Sequence, residues 1–360
     1  MTKTFIQALE GPPDDLVGFT GKSERDIRAR WLIWDDIANA PGPWRRCVST
    51  TKILNRILLD PSGVGSPPAF LQEVHLAFEP NGAELARRLQ LPTSDPDRVD
   101  FAPTLTNPAT FAVLINNPDI KIVATGGMST FYLAFRLKTL DQRFRDAVAH
   151  AIDVHALAPI GQGAASPAFG PIPPNMSGHE PHDPLLRQPP CDVVRAQRLL
   201  GASARGTAGP VEILCPMNTT YAGMLGDAVA TQLSAALPLK VVAVHQPTWG
   251  DALTAWRTGK GDMLIASWHQ RHARTGDPYT FLQALFHSQS TSNLTGYKAA
   301  DALLRGRGRD HKKAQAAIIK HIPVVFLSHW RRLSAYHARV KNLRLIPGAL
   351  PDDRLIGVDV

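Results

Sequence analysis

The sequence has little with which to staple itself together or to cross a membrane. Cysteine occurs three times in 360 residues, as Cys47, Cys191 and Cys215, with no C-x-x-C pair. This excludes a disulfide framework and a cysteine-built zinc site. Cys215, inside the apolar run V-E-I-L-C-P, reads as a small buried hydrophobe. No stretch approaches the roughly 18 uninterrupted apolar residues that a membrane span needs. The opening M-T-K-T-F-I-Q-A-L-E-G-P-P-D-D is broken by Glu10, Asp14 and Asp15 before the apolar segment of a secretory signal forms, so the sequence as written carries no export signal. Internal repeats and low-complexity tracts are absent. So are G-x-S-x-G, a phosphate-cradling G-x-x-x-x-G-K, a dinucleotide fingerprint and H-E-x-x-H in the context each requires. Binding without chemistry is the simplest expectation, with no cofactor.

What is present reads as soluble and globular: 44% hydrophobic and 19% charged residues, in a length that suggests about two domains. The formal net charge is +8, which raises nucleic acid as a partner. The basic residues are dispersed, however. The densest spots, Arg305 to Lys313 and Arg331–Arg332, carry neither a recognition motif nor interleaved aromatics, so a solvated basic face is expected and no nucleic acid.

Along the chain, residues 1–67 are the least readable. They hold a helical pattern near Glu24–Ile37, a turn at Pro41–Pro43, and a Gly/Pro/Ser-rich stretch from Pro61 to Pro68 that reads as a linker. Phe19, Trp31, Trp34 and Trp44 argue against disorder there. From Val74 short apolar strands alternate with helical periods: strand 74–78, a helix over Ala83–Leu91, and a helix opened by Asn107–Pro108 and closed before Pro118. Residues 120–126 and 130–137 read as two strands separated at Gly126–Gly127. In 140–153, Phe144, Val148, Ala151 and Ile152 share one helical face behind Asp141. The glycine- and proline-rich 161–174 reads as loop.

The clearest grammar lies in 211–268: strand, helix Tyr221–Ala236, strand, helix Trp249–Arg257, strand ending at Trp268. Strands separated by helices of this length predict parallel pairing with right-handed crossovers and helices on both faces. Ligands of such sheets sit beyond the carboxyl ends of the strands, where Trp268 falls. Helices are expected over Pro278–Phe286, Tyr297–Leu304 and His311–His321, then a strand over 324–330 and shorter extended pieces over 333–336 and 343–346.

Four stretches, in order, carry a resemblance. They are M-S-T-F-Y-L-A-F-R-L with L-D-Q-R-F-R-D-A-V-A-H-A-I-D-V-H-A-L (128–157), G-x-A-x-P-A-x-G-P-I-P-P (163–174), W-G-D-A-L-T-A-W-R-T-G-K-G-D-M-L-I-A-S-W (249–268), and G-D-P-Y-T-F-L-Q-A-L-F-H-S (276–288). Together they resemble the family 5 extracellular solute-binding proteins of ABC transporters, the dipeptide-, oligopeptide- and nickel-binding group. The resemblance extends less sharply from about Leu71 to Leu355.

It implies an α/β, bilobal, periplasmic-binding-protein-like (type II) fold with a reduced amino-terminal lobe. Residues 1–67 are then unassigned, 68–128 with 331–360 form what remains of the first lobe, and 129–330 form the second. It further implies a monomer in the periplasm that traps a peptide or related small ligand and passes it to an ABC permease, its only contact with the membrane. The alternative, favoured by the lack of an export signal and the basic charge, is a cytoplasmic ligand-sensing regulator on the same fold; the reduced amino-terminal lobe adds a degenerate, non-functional member as a third reading.

The ligand-binding residues expected on this basis are Trp268, His269, Arg271, Tyr132, Tyr279 and Asp277. Trp268 reads equally as a stacking surface for ligand and as a packing residue at the sheet end. Tyr132 falls on either face of its strand, because alternation alone does not choose. Trp249 and Trp256 read as helix–sheet packing. Two departures from the family pattern stand out. Arg136 replaces an asparagine, and Arg271 stands three positions after Trp268, where peptide-binding members carry an acid for the peptide ammonium. A cation there repels an ammonium and suits a carboxylate or phosphate. The H-x-x-H pairs His179/His182 and His269/His272 read as solvent-exposed, and no metal site is expected.

Overall fold

The computed structural model describes the backbone of 4–9, 44–47, 56–61 and 73–78, and residues 82–343 apart from 103–104, 106–107, 175, 205–208, 218–219, 270–276 and 306–309. The helical pattern near 24–37, most of the 61–68 linker and the extended piece at 344–346 lie outside the described residues. Two compact units are formed, Met1–Thr125 with Arg332–Val360, and Gly126–Arg331.

The first unit contains β1 (Thr4–Leu9), β2 (Trp44–Cys47), β3 (Arg56–Pro61), β4 (Glu73–Phe78), α1 (Gly82–Leu89), β5 (Phe101–Ala102) and α2 (Pro108–Leu114). Its strands lie in the order β2-β3-β4-β1-β5. β1 is parallel to β4 and β5, and β3 is antiparallel to β2 and β4. In α1 the buried residues Gly82, Leu85, Ala86 and Leu89 recur at helical spacing, while the Glu84–Arg87 ion pair at 2.6 Å stays in solvent. Asp100, fully buried beside β5, accepts from Arg339 Nε at 2.9 Å and Nη2 at 2.8 Å, which ties β5 to a segment 239 residues later.

β6 (Ile120–Phe135) runs from the first unit into the second. The expected break at Gly126–Gly127 does not occur, because glycine accepts extended backbone as readily as a turn and the strand continues through the pair. The second unit continues with α3 (Gln142–Ala151), α4 (Val154–Leu157), a 3-10 turn, β7 (Ala165–Pro167), α5 (Val193–Gly201), β8 (Val211–Pro216), α6 (Thr220–Ala236), β9 (Val241–Gln246), α7 (Trp249–Arg257), β10 (Met263–His269), α8 (Tyr279–Phe286), α9 (Asp301–Leu304), α10 (His311–His321) and β11 (Val324–His337). β11 absorbs the two extended pieces expected over 324–330 and 333–336, and its end, paired at Ala335–Tyr336 with β5, belongs to the first unit.

The strand order in the second unit is β11-β6-β10-β8-β9. β8 is parallel to β9 and β10, as the strand–helix alternation predicts, and β10 is antiparallel to β6. Alternation along β10 sends Met263 and Ile265 to one face, against α3, α5 and α6, and Leu264 and Ala266 to the other, against α7, α8 and α10. Cys215 is fully buried on the first face.

Two expectations are corrected here. The loop expected over 161–174 contains a short strand, β7, antiparallel to Ser328–Trp330. The helix expected over Tyr297–Leu304 is confined to α9, because Asn293 and Thr295 bind the backbone ahead of it: Asn293 Nδ2 donates to Tyr297 O at 2.7 Å and Thr295 Oγ1 accepts from Tyr297 N at 3.2 Å.

Candidate functional site

β10 ends on the face shared with α7, α8 and α10, and its last residues meet β6 in antiparallel register, with Ala266 opposite Tyr132 and Trp268 opposite Thr130. Tyr132 therefore shares the face of Trp268, the choice that alternation alone leaves open. It is also 3% exposed, a packed residue beneath that face, and burial pushes its phenol well above the ordinary range.

Trp268 is half-buried against the same core. Its indole N–H donates to Thr280 O at 3.2 Å, which orients the ring at the sheet end and fastens β10 to the start of α8. That start is organised by Asp277, half-buried, whose Oδ1 accepts from Tyr279 N at 2.9 Å while its carbonyl accepts from Thr280 Oγ1 at 2.7 Å. Tyr279 is 8% exposed and lies edge-on to His311. His269 closes β10 in its backbone, and Arg271 lies outside the described residues.

The row that begins with Trp268 continues across the sheet. Thr130 Oγ1 is 3.0 Å from Pro171 O and 3.0 Å from Nδ1 of His329 on β11. A hydroxyl has one proton, and the carbonyl can only accept. Thr130 therefore donates to Pro171 O and accepts from His329 Nδ1–H, which fixes that tautomer. Burial, and less so the neighbouring His179, pushes the His329 imidazole down to about 3. The His179 ring stands at 5.7 Å and 78° to that of His329. Its Nδ1 is 2.6 Å from Ile172 O and must donate there. His179 is thus half-buried rather than solvent-exposed as the sequence suggests, whereas His182 is exposed. A cavity of about 110 Å³ adjoins this end of the row, with Ile172, His179, Glu180, Arg187, Gln315 and His329 in its wall.

His329 lies in none of the four family stretches, and the stretch that holds Thr130 gives it no role. The two lie 199 residues apart, and only strand pairing brings them together. Among the described residues no group of three or more His, Cys, Asp or Glu stands together as a metal site, and no helix is long and apolar enough to cross a membrane.

The larger groove, about 610 Å³ and wide open, lies beside Gly259–Asp262 at the opposite end of β10. One of its walls is Arg136. Its guanidinium donates to Gly261 O at 2.9 Å, Trp256 O at 3.1 Å and Lys260 O at 2.6 Å, and stacks 4.1 Å from the Trp256 ring. Arg136 therefore closes the α7–β10 turn with Nε and Nη2 turned to backbone carbonyls, a structural role.

Parallel strands flanked by helices are common to many α/β folds, and the particular fold, that of periplasmic binding proteins, is given by solved structures. DppA from Helicobacter pylori, in complex with peptide STSA, superposes with TM-score 0.69 at 22% identity over 97% of this chain and 70% of that one. HbpA2 from Haemophilus parasuis gives 0.69 at 17% identity over 97% and 72%. AgaA from A. tumefaciens R10, in complex with agropinic acid, gives 0.67 at 18% over 92% and 70%. No curated protein sequence matches the chain. The model of the middle region of the bacterial extracellular solute-binding proteins, family 5, matches residues 89–293. More than half of the chain lies in that match, and the protein belongs to this family of ABC-transporter solute-binding proteins.

Proposed function

We propose that this protein is the substrate-binding component of an ABC transporter, a monomer that captures a small peptide or related solute in the periplasm and delivers it to a permease without altering it. The observation that carries the reading is Trp268: half-exposed, at the carboxyl end of a central strand, and oriented by Thr280 O, where open α/β sheets hold their ligands. Asp277 and Tyr279 organise the start of α8 beside it, and Tyr132 supports the face beneath. His269 and Arg271 supply polar and charged contacts. Arg271 favours solutes that bring a carboxylate to this point over those that bring an ammonium, since a guanidinium pairs with a carboxylate through two parallel hydrogen bonds. DppA with its peptide and AgaA with agropinic acid mark the range of solutes to try.

The test is a thermal-shift screen of the purified protein against di- and oligopeptides, opines, nickel–histidine complexes and anionic sugars. A solute bound only by the folded state stabilises it by about 2.7 kcal/mol at a hundredfold excess over its Kd. The expected outcome is a rise in Tm with one carboxylate-bearing class, abolished in Trp268→Ala and weakened in Arg271→Gln. A cooperative melt that no solute moves sinks the proposal.

A further inference from the structure

The cavity at the far end of the Trp268–Thr130–His329 row is walled by side chains whose hydrogen-bond donors are already engaged outside it. His329 Nδ1–H is given to Thr130 Oγ1 at 3.0 Å, His179 Nδ1–H to Ile172 O at 2.6 Å, and the Gln315 amide N–H to Gly178 O at 3.2 Å. Each therefore has an acceptor to spare: Nε2 of both imidazoles and Oε1 of Gln315. His329 is 3% exposed and lines the cavity, yet its Nε2 has no hydrogen-bond partner among the described residues. An imidazole whose N–H is anchored to a carbonyl or hydroxyl, with the second nitrogen held as a lone pair, is the arrangement metal-binding histidines adopt. Two imidazoles sharing one ion through bonds of about 2.0–2.1 Å have ring centres about 4.5–6.4 Å apart, according to the angle at the metal, and those of His179 and His329 are 5.7 Å apart. Glu180, in the same wall and ion-paired with Lys312 at 2.8 Å, supplies a carboxylate near the rim.

We propose that this cavity binds one first-row divalent transition-metal ion through Nε2 of His179 and Nε2 of His329. The Irving–Williams order favours Cu²⁺, with Ni²⁺ and Zn²⁺ next. Gln315 Oε1, water or a donor atom of a solute completes the coordination. The proposal does not rest on the transport reading and is tested without any solute.

Untagged, chelator-stripped full-length protein is titrated calorimetrically with Cu²⁺, Ni²⁺ and Zn²⁺ at pH 7.5. The expected result is one-to-one binding, weakened at least about tenfold, the low end of what disturbing a metal site costs, in His179→Ala and in His329→Ala, and unchanged in His182→Ala. Should His329→Ala fail to fold, the half-buried His179→Ala decides. No binding by the wild type, or binding that His179→Ala leaves unchanged, overturns the proposal and leaves the cavity to water.

Discussion

At the scale of single residues, what matters is which groups are free to act. Arg136 is spent on three backbone carbonyls and the Trp256 ring, so its charge closes a turn. Trp268 is half-exposed, with its indole N–H satisfied by Thr280 O. Other positions tolerate no change of size. A Cβ at Gly226 on α6 would run into Cys215 Sγ on β8, and both lie in the packed layer between helix and sheet. Gly226→Ala should therefore cost about 1–3 kcal/mol, as overpacking of a close-packed interior does, seen as a lower urea midpoint with an unchanged slope. A gain in stability, as helix propensity alone predicts, would show that the layer yields.

At the scale of elements, the helices of the second unit are defined at their starts by side chains that the sequence displays openly. Asp141 is a clear case. Its Oδ1 accepts from Phe144 N at 3.0 Å, and its Oδ2 accepts from Ser203 Oγ at 2.8 Å and Ala204 N at 2.8 Å. One carboxylate thus starts α3 and holds the end of α5 to it. Asp141→Ala should destabilise the protein by about 2 kcal/mol, the upper end for a lost cap. Asp141→Asn should recover part of this by keeping the Phe144 bond. Equal loss in both variants, read by chemical denaturation, would mean that charge rather than capping geometry is decisive.

At the scale of the whole molecule, two features join chain segments far apart in sequence. In the first unit Asp100, with no exposed surface, is held by Arg339. Removing the arginine takes away its two hydrogen bonds to Asp100 and leaves the buried carboxylate to Arg98, whose Nε stands at 3.5 Å, so Arg339→Leu should lower stability by about 3 kcal/mol, the low end for a broken buried pair, still a large share of the roughly 5–15 kcal/mol of a typical domain. Asp100→Asn should rescue part of that loss in the double variant, which a double-mutant cycle measures. In the second unit the Thr130–His329 bond does the same across strands, and there the result is a wall of the candidate metal cavity.

The sequence by itself determined the class of protein. Helix caps, strand alternation and the four family stretches are local signals, each written in residues near one another, and they sufficed for the parallel β8, β9 and β10, for the helices on both faces, and for Trp268 at a strand end. Only the tertiary structure decided which face Tyr132 takes, that β6 runs through Gly126–Gly127, that Arg136 is a structural brace, and that His179, His329 and Thr130 meet. The physical reason is common to all four. Strand register and side-chain hydrogen bonds between distant segments depend on which strands become neighbours, and no pattern of period two or 3.6 within one segment carries that information.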